Sequence, residues 1–199
     1  MSVKSLELLI IFVKNPEEGK VKTRLAATVG NAKALEIYLQ LLEKTRKVTT
    51  NLNITKALYY SDHLENEDNW DKRKYVKSLQ KGRDLGERMM NSFREGFARL
   101  YAPICIIGSD CYELTPEIIL DAFDRLKKND VVLGPSKDGG YYLIGMNKLN
   151  PEIFLNKSWS TDKVLSETLN TLKKLNLSVT LLKELNDVDT EDDLFTIYK

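Results

Sequence analysis

The residues best suited to chemistry are carboxylates and cations that follow predicted strands. Asp110 ends the stretch I-C-I-I-G-S-D, in which residues 104–107 predict a strand buried on both faces and Gly108 ends it. Open α/β sheets bind ligands at the carboxyl ends of their strands, so Asp110 lies where a divalent metal carrying a phosphorylated substrate would be held. The alternative is an aspartate that only caps the next turn, and the stretch alone leaves both interpretations open.

A basic loop follows the first predicted strand, residues 8–13. Its sequence is K-N-P-E-E-G-K-V-K-T-R-L, and it contains Lys14, Gly19, Lys20, Lys22 and Arg24. Backbone N–H groups and cations that face one loop suit phosphate binding. The P-loop pattern fails, because no Ser or Thr follows Gly19-Lys20 and Lys14 replaces the first glycine. A solvated charged loop is the alternative, and we favour phosphate binding.

A second loop, in Q-K-G-R-D-L-G-E-R-M, precedes a predicted helix. Asp84 followed by Glu87 three residues later is typical of a helix start with a capping box. Gly82 and Arg83 would then lie at the helix N-terminus, which favours anions or sugar hydroxyls. Arg88, one turn further on, is either a second cation for such a ligand or an exposed helix charge, and we favour the helix charge.

Two more acidic segments follow later strands. Asp138 begins the turn D-G-G, which is either an ordinary tight turn or a place where backbone approaches a ligand. Asp187 and Asp189 precede Thr190, which predicts the N-cap of a terminal helix. The cap explains part of the acidity there, and the two aspartates remain candidates for a second metal ligand.

Composition excludes several classes of function. The chain has 199 residues, 42% of them hydrophobic, and a formal net charge of +1, so no general field attracts nucleic acid or anionic lipid. His63 is the only histidine, and Cys105 and Cys111 fit no metal-binding pattern. No apolar run approaches the roughly 20 residues of a membrane span, and we expect a cytoplasmic protein.

Strands alternate with amphipathic helices, and one pair of strands is too close in sequence for a helical crossover. We therefore expect one α/β domain over residues 1–199, with three layers and a mostly parallel, mixed sheet. The polar segment 61–74 predicts a loop in which Trp70 is a packing anchor. The expected helices are 31–49, one behind Asp84, one opened by Thr115 and Pro116, and one after residue 161. Further strands are expected at 54–60, 130–134, after the D-G-G turn, and at 179–182.

The motifs F-V-K-N-P-E-E-G-K-V-K-T-R-L, G-R-D-L-G-E-R-M, I-G-S-D-C-Y-E-L-T-P, V-L-G-P-S-K-D-G-G-Y-Y-L-I-G, W-S-T and D-V-D-T-E-D-D-L span almost the whole chain. In this order they resemble a bacterial family of GT-A-like glycosyltransferases, some of whose members are assigned to arsenosugar biosynthesis. The broader resemblance is to nucleotide-diphospho-sugar transferases and to guanylyl- and cytidylyltransferases. It implies a Rossmann-like GT-A fold, nucleotide binding by the first loop, and Mg²⁺ or Mn²⁺ at Asp110.

The chain departs from this family pattern at two places. Glycosyltransferases of this type hold their metal with D-x-D, whereas Ser109-Asp110-Cys111 provides one carboxylate, as in the nucleotidyltransferases. Tyr112 stands where the pattern has proline, which alters only the turn.

These observations predict a metal-dependent transferase that uses a nucleotide-diphospho-sugar to glycosylate a small-molecule acceptor. Asp110 and Asp187 would bind the metal, and Asp138 would orient the acceptor or act as a base. Two alternatives are nucleotidyl transfer from an NTP to a phosphorylated small molecule, with release of pyrophosphate, and a non-catalytic nucleotide-binding module. The expected nucleotide- and phosphate-binding residues are Lys14, Gly19, Lys22, Arg24, Gly82 and Arg83.

Overall fold

A computed structural model describes residues 6–197 and shows a seven-stranded mixed sheet with helices on both faces. The strands are β1 (Leu8–Val13), β2 (Thr55–Tyr60), β3 (Tyr75–Leu79), β4 (Ile104–Ile107), β5 (Val131–Pro135), β6 (Tyr141–Met146) and β7 (Val179–Leu181). The helices are α1 (Thr23–Val29), α2 (Asn31–Thr50), α3 (Leu85–Ala98), α4 (Pro116–Arg125) and α5 (Val164–Lys174), with short 3₁₀ helices at Pro151–Ile153 and Glu191–Thr196. The expected α/β fold class is confirmed.

The strand order is β3-β2-β1-β4-β6-β5-β7, and β6 runs antiparallel to both of its neighbours. The close strand pair therefore contains one antiparallel strand, as its short connection predicts. All the other pairings are parallel. As a result the loops after β1 and β4 and the turn between β5 and β6 meet at one edge of the sheet.

The core has two halves, because successive strand residues point to opposite faces. On one face, Leu9 and Ile11 of β1 belong to the apolar cluster that includes Val48 of α2 and Phe123 of α4. On the other face, the cluster around α3 and α5 contains the alternate residues of β1. All four residues of β4 are buried, which confirms the prediction of a strand covered on both faces.

Two helix starts follow the predicted local signals. The Thr115 hydroxyl accepts a hydrogen bond from the Ile118 N–H at 3.5 Å, and Pro116 is the first residue of α4. The Asp84 carboxylate accepts from the Glu87 N–H at 2.8 Å at the start of α3. Both helices therefore begin where capping chemistry predicts.

The structure adds two elements that the sequence interpretation lacks. The basic loop after β1 continues into α1, and residues 75–79 form β3 at one end of the sheet. The segment 61–74 between β2 and β3 is a loop, as predicted, and Trp70 packs edge-on against Tyr75 with ring centroids 4.9 Å apart. In the part of the chain that the structure describes, no helix is long and apolar enough to cross a membrane.

Candidate functional site

A cleft of about 630 Å³ lies at the sheet edge where the strand-end loops meet. Segments far apart in sequence contribute to it: the end of β1 and the loop behind it, the start of α3, the loop after β4, the β5–β6 turn and residues 187–189. Its charged lining residues are Lys14, Lys22, Arg24, Arg83, Asp84, Arg88, Asp110, Asp138, Asp187 and Asp189.

Lys22 is the buried cation of this cleft, with 6% of its side chain exposed. It is the residue before α1, and its backbone has left-handed dihedrals, φ 46° and ψ 46°. Its Nζ donates to Asp110 Oδ2 at 3.0 Å and to Asp189 Oδ1 at 2.8 Å. Burial by itself would lower the pKa of Lys22, but the two carboxylates raise that pKa above its ordinary value, so the ammonium stays charged.

Asp110 directly follows the buried strand β4, and its carboxylate folds back over Gly108. A Cβ at Gly108 would lie 2.7 Å from Asp110 Oδ1, so the glycine makes room for the carboxylate. The Val188 N–H donates to the Asp110 carbonyl at 3.0 Å and joins the loop after β4 to the segment 187–189. Burial acts to raise the pKa of Asp110, and the Lys22 ammonium holds that pKa below its ordinary value.

Asp187 lies near the Asp110 and Asp138 carboxylates, and the Lys22 ammonium offsets their effect on its pKa only in part. Its Oδ1 is buried and has no hydrogen-bond partner among the described residues. Burial, with the nearby Asp110 and Asp138 carboxylates, raises the pKa of Asp187 well above its ordinary value. Buried polar atoms in folded proteins almost always have a partner, so this unpartnered oxygen is suited to binding a cation.

The carboxylates of Asp110 and Asp187 are chemically suited to binding a divalent cation. Carboxylate oxygens are the ligands that Mg²⁺ and Mn²⁺ prefer, and a cation beside Asp187 would remove the repulsion between Asp187 and Asp110. Within residues 6–197, no three His, Cys, Asp or Glu side chains are arranged to hold a metal as they stand. Asp110 and Asp187 would supply two of the ligands, and the Lys22 ammonium, which contacts Asp110 Oδ2, would compete with the cation for that oxygen.

Asp138 is held by its own turn. Its Oδ1 accepts from the Ser136 hydroxyl at 2.5 Å and from the Gly140 N–H at 2.9 Å, which leaves Oδ2 without a partner among residues 6–197. Gly139 has φ +86°, and a Cβ there would lie 2.3 Å from the Asp162 carbonyl oxygen. The D-G-G segment is therefore a tight turn, and the backbone that approaches its central glycine belongs to the chain itself.

Tyr38 of α2 fixes the first residue of the loop after β1. Its hydroxyl accepts from the Lys14 N–H at 2.8 Å, donates to the Lys14 carbonyl at 3.1 Å and lies 3.2 Å from Ser109 Oγ. Burial raises the pKa of Tyr38 to about 12. The sequence predicts Tyr38 only as part of the helix at 31–49, although a buried tyrosine hydroxyl needs a partner and so indicates a nearby polar loop.

The predicted site residues fall into two sets. The structure brings Lys14, Lys22, Arg24, Arg83, Asp110, Asp138 and Asp187 to the cleft wall, whereas Gly19 and Gly82 do not line it. Arg24 is exposed, with Nη1 3.9 Å from Asp189 Oδ2. Lys20 also stays outside the cleft and pairs with Glu17 at 2.6 Å. The sequence gives no site role to several lining residues, including Tyr38, Ser109, Ser136 and Trp159, and it leaves a role as a second cation open for Arg88.

Solved structures with this fold include proteins that act on nucleotides. The chain is 33% identical to a protein from Desulfovibrio desulfuricans G20 that is provisionally named a nucleotide-diphospho-sugar transferase, over 98% of this chain and 87% of that one, with a TM-score of 0.88. It is 10% identical to 4-diphosphocytidyl-2C-methyl-D-erythritol synthase from Anaerococcus prevotii DSM 20548, over 97% and 95% of the two chains, with a TM-score of 0.60. A structure of Rv0371c from Mycobacterium tuberculosis H37Rv, in complex with manganese, is 13% identical over 95% and 96%, with a TM-score of 0.50.

The fold therefore defines the class: a Rossmann-like α/β domain of the nucleotide-diphospho-sugar transferase superfamily. Residues 43–161 match the family described as "Uncharacterized protein conserved in bacteria (DUF2064)", and the chain belongs to this family. No curated protein sequence matches the chain. The link to arsenosugar biosynthesis stays a prediction from the motifs.

Proposed function

We propose that the protein is a transferase that binds a nucleotide-activated donor with a divalent metal in this cleft. The first choice of reaction is glycosyl transfer from a nucleotide-diphospho-sugar to a small-molecule acceptor. The observation that carries the proposal is the buried Lys22 ammonium between Asp110 and Asp189, beside the unpartnered Asp187 Oδ1, all in one open cleft. The name given to the Desulfovibrio protein supports this choice of donor.

Each charged group has a defined part in this proposal. Asp110 and Asp187 would hold Mg²⁺ or Mn²⁺, which when bound supplies positive charge to the diphosphate leaving group. As the nucleotide enters, the Lys22 ammonium would replace a carboxylate partner with a phosphate oxygen, because it already lies beside Asp110 and Asp189. Arg24, exposed at the edge of the cleft, would add a second cation. Asp138 Oδ2 is available to orient the acceptor or to take its proton.

Nucleotidyl transfer is the second candidate, and one observation favours it. The loop after β4 places one carboxylate, Asp110, in the cleft where the glycosyltransferase motif D-x-D has two. In this reaction the phosphate of a small substrate attacks the α-phosphate of an NTP, and pyrophosphate leaves. Release of pyrophosphate from an NTP and a phosphorylated acceptor would select this reaction over glycosyl transfer.

The proposal is tested by melting the protein with a panel of nucleotides and nucleotide-diphospho-sugars, each with and without Mn²⁺. A ligand at 100 times its dissociation constant stabilises the folded state by about 2.7 kcal/mol. We expect at least one nucleotide to raise the melting temperature, and Mn²⁺ to increase that shift. The proposal fails if no nucleotide stabilises the protein under either condition. Binding without turnover on any acceptor would leave a non-catalytic nucleotide-binding module.

A further inference from the structure

Two arginines near the start of α3 have different electrostatic surroundings. The Arg83 side chain is 90% exposed and is neutralised by Glu87, with Arg83 Nε 3.0 Å from Glu87 Oε1. Arg88 is half-buried in the wall of the cleft. No carboxylate in residues 6–197 forms an ion pair with its guanidinium. The predicted phosphate ligand Arg83 is thus already paired, and the helix residue Arg88 is the uncompensated cation.

The Arg88 side chain is held in place by neutral groups. Its Nε donates to the Gly82 carbonyl at 3.3 Å, and its Nη1 donates to Gln80 Oε1 at 3.4 Å. The Gln80 amide is fixed in turn, because its Nε2 donates to the carbonyls of Val13 at 3.2 Å and Tyr59 at 2.9 Å. The carboxyl ends of β1 and β2 therefore orient Gln80, and Gln80 orients the guanidinium.

The guanidinium keeps donor capacity for a ligand. Arg88 Nη2 donates no hydrogen bond to any described residue, and an arginine in a protein does not lose its charge. Apolar side chains of Leu85, Met89 and Trp159 line the same cleft. A charged, pre-oriented donor beside apolar surface binds an oxyanion more strongly than a solvated one does.

Arg88 lies on a different face of the sheet from the elements that carry Lys22. Lys22 precedes α1, which packs on α2, and α2 covers one face of the sheet. Arg88 lies on α3, which covers the opposite face. The two cations are therefore carried by elements on opposite faces of the sheet, and a diphosphate bound at Lys22 and Asp110 need not reach Arg88.

We propose that Arg88 forms a second oxyanion subsite, which binds a phosphate or carboxylate group of the acceptor. The assignment to the acceptor rests on the proposed function, in which the nucleotide diphosphate occupies the Lys22 side. The acceptor class is then an anionic small molecule, and a neutral sugar or alcohol would leave the guanidinium unpaired.

The test is titration of wild type, Arg88→Gln and Arg73→Gln with inorganic phosphate and, separately, acetate, followed by NMR. Each titration is run without nucleotide and with a saturating nucleoside diphosphate and Mn²⁺, which blocks the Lys22 side. We expect Arg88→Gln to weaken the binding of at least one anion about tenfold or more in both conditions. Arg73→Gln is the matched control and should bind like wild type, because Arg73 lies outside the cleft and is paired with Asp71.

Equal anion affinity in Arg88→Gln and wild type would overturn the subsite. A loss of nucleotide affinity in Arg88→Gln as large as its loss of anion affinity would also overturn the subsite, because Arg88 would then belong to the donor site. If no nucleotide binds to wild type, the proposed function fails, and the nucleotide-free titrations still decide whether Arg88 binds an oxyanion. The preferred anion distinguishes a phosphorylated acceptor from a carboxylated one.

Discussion

Lys22 and Lys56 are both buried, and their surroundings differ in charge. Lys56 Nζ donates to the backbone carbonyls of Leu52 at 2.6 Å and Ile54 at 3.2 Å. Burial lowers the pKa of Lys56, because these partners are neutral. Lys22 instead contacts the carboxylates of Asp110 and Asp189, which raise its pKa despite burial.

The difference shows which buried lysine belongs to a functional site. The partners of Lys56 are backbone carbonyl oxygens that are fixed by the fold, so a ligand cannot take their place beside this ammonium. The ion pairs of Lys22 open into a cleft, where a phosphate can replace a carboxylate as the partner of the ammonium. For a buried lysine, burial alone is therefore weak evidence for a site, and carboxylate partners that open into a cleft are stronger evidence.

The largest effect is expected from a change at Asp110, whose carboxylate contacts Lys22 and not Lys56. Asp110→Asn gives Lys22 a neutral oxygen partner, like those of Lys56, and removes the charge that a hard cation needs. We expect normal folding and a loss of transferase activity of at least about 10²-fold, or about 2.7 kcal/mol of barrier. Asp124→Asn, at an exposed pair with Lys127, is the control. Full activity in Asp110→Asn would leave the carboxylate with a capping role only.

Charge removal at the two lysines should affect nucleotide binding unequally. Lys22→Met should weaken the binding of the best nucleotide by about ten- to a hundredfold, the worth of one charge-assisted contact. Lys56→Met should leave that affinity unchanged, because Lys56 is not part of the cleft. Calorimetric titration measures both. Equal affinities in the two variants would contradict a phosphate-binding role for Lys22.

Lys22 should also compete with the metal in the absence of nucleotide. Because its ammonium lies 3.0 Å from Asp110 Oδ2, Lys22→Met frees this carboxylate and should raise the affinity for Mn²⁺ by about tenfold. Electron paramagnetic resonance of free Mn²⁺ gives the dissociation constant. A lower affinity in Lys22→Met would show that the lysine supports the metal site instead of occupying it.

The smallest expected effect is on the stability of the metal-free protein. The folded-state pKa of Asp187 lies above its ordinary value of 3.8, so the folded state binds more protons than the unfolded state between these two values. Stability should therefore fall as pH rises through this window. Asp187→Asn cannot ionise and should melt a few degrees above wild type in EDTA, by a margin that grows with pH. A constant margin across the pH range would show that Asp187 is not the titrating group.

Local signals in the sequence predict much of the fold. The apolar runs of β1 and β4, the caps at Asp84 and Thr115, and the short D-G-G connection each depend on neighbouring residues, and each is confirmed. The strand β3 mixes polar and apolar residues at the end of the sheet and gives a weak signal.

The site was harder to predict because its pairings join distant segments. Lys22 contacts carboxylates 88 and 167 residues away in the sequence, so a basic loop gives no indication that its central lysine is buried. Arg83 differs, because Glu87 lies four residues further on, a spacing that predicts an ion pair on a helix. The structure is needed to show that Arg88 forms no ion pair with any of residues 6–197.

The most direct test of the central claim is calorimetric titration of a nucleoside diphosphate, with and without Mn²⁺, into wild type and Asp110→Asn. If Asp110, Lys22 and Asp187 form one site for metal and nucleotide, Mn²⁺ should raise the nucleotide affinity of wild type by about tenfold or more. It should leave the nucleotide affinity of Asp110→Asn unchanged. Without metal the two proteins should bind about equally, or Asp110→Asn more tightly, because a negative charge near the phosphates is gone. A full response to Mn²⁺ in Asp110→Asn, or no response in wild type, would contradict the claim.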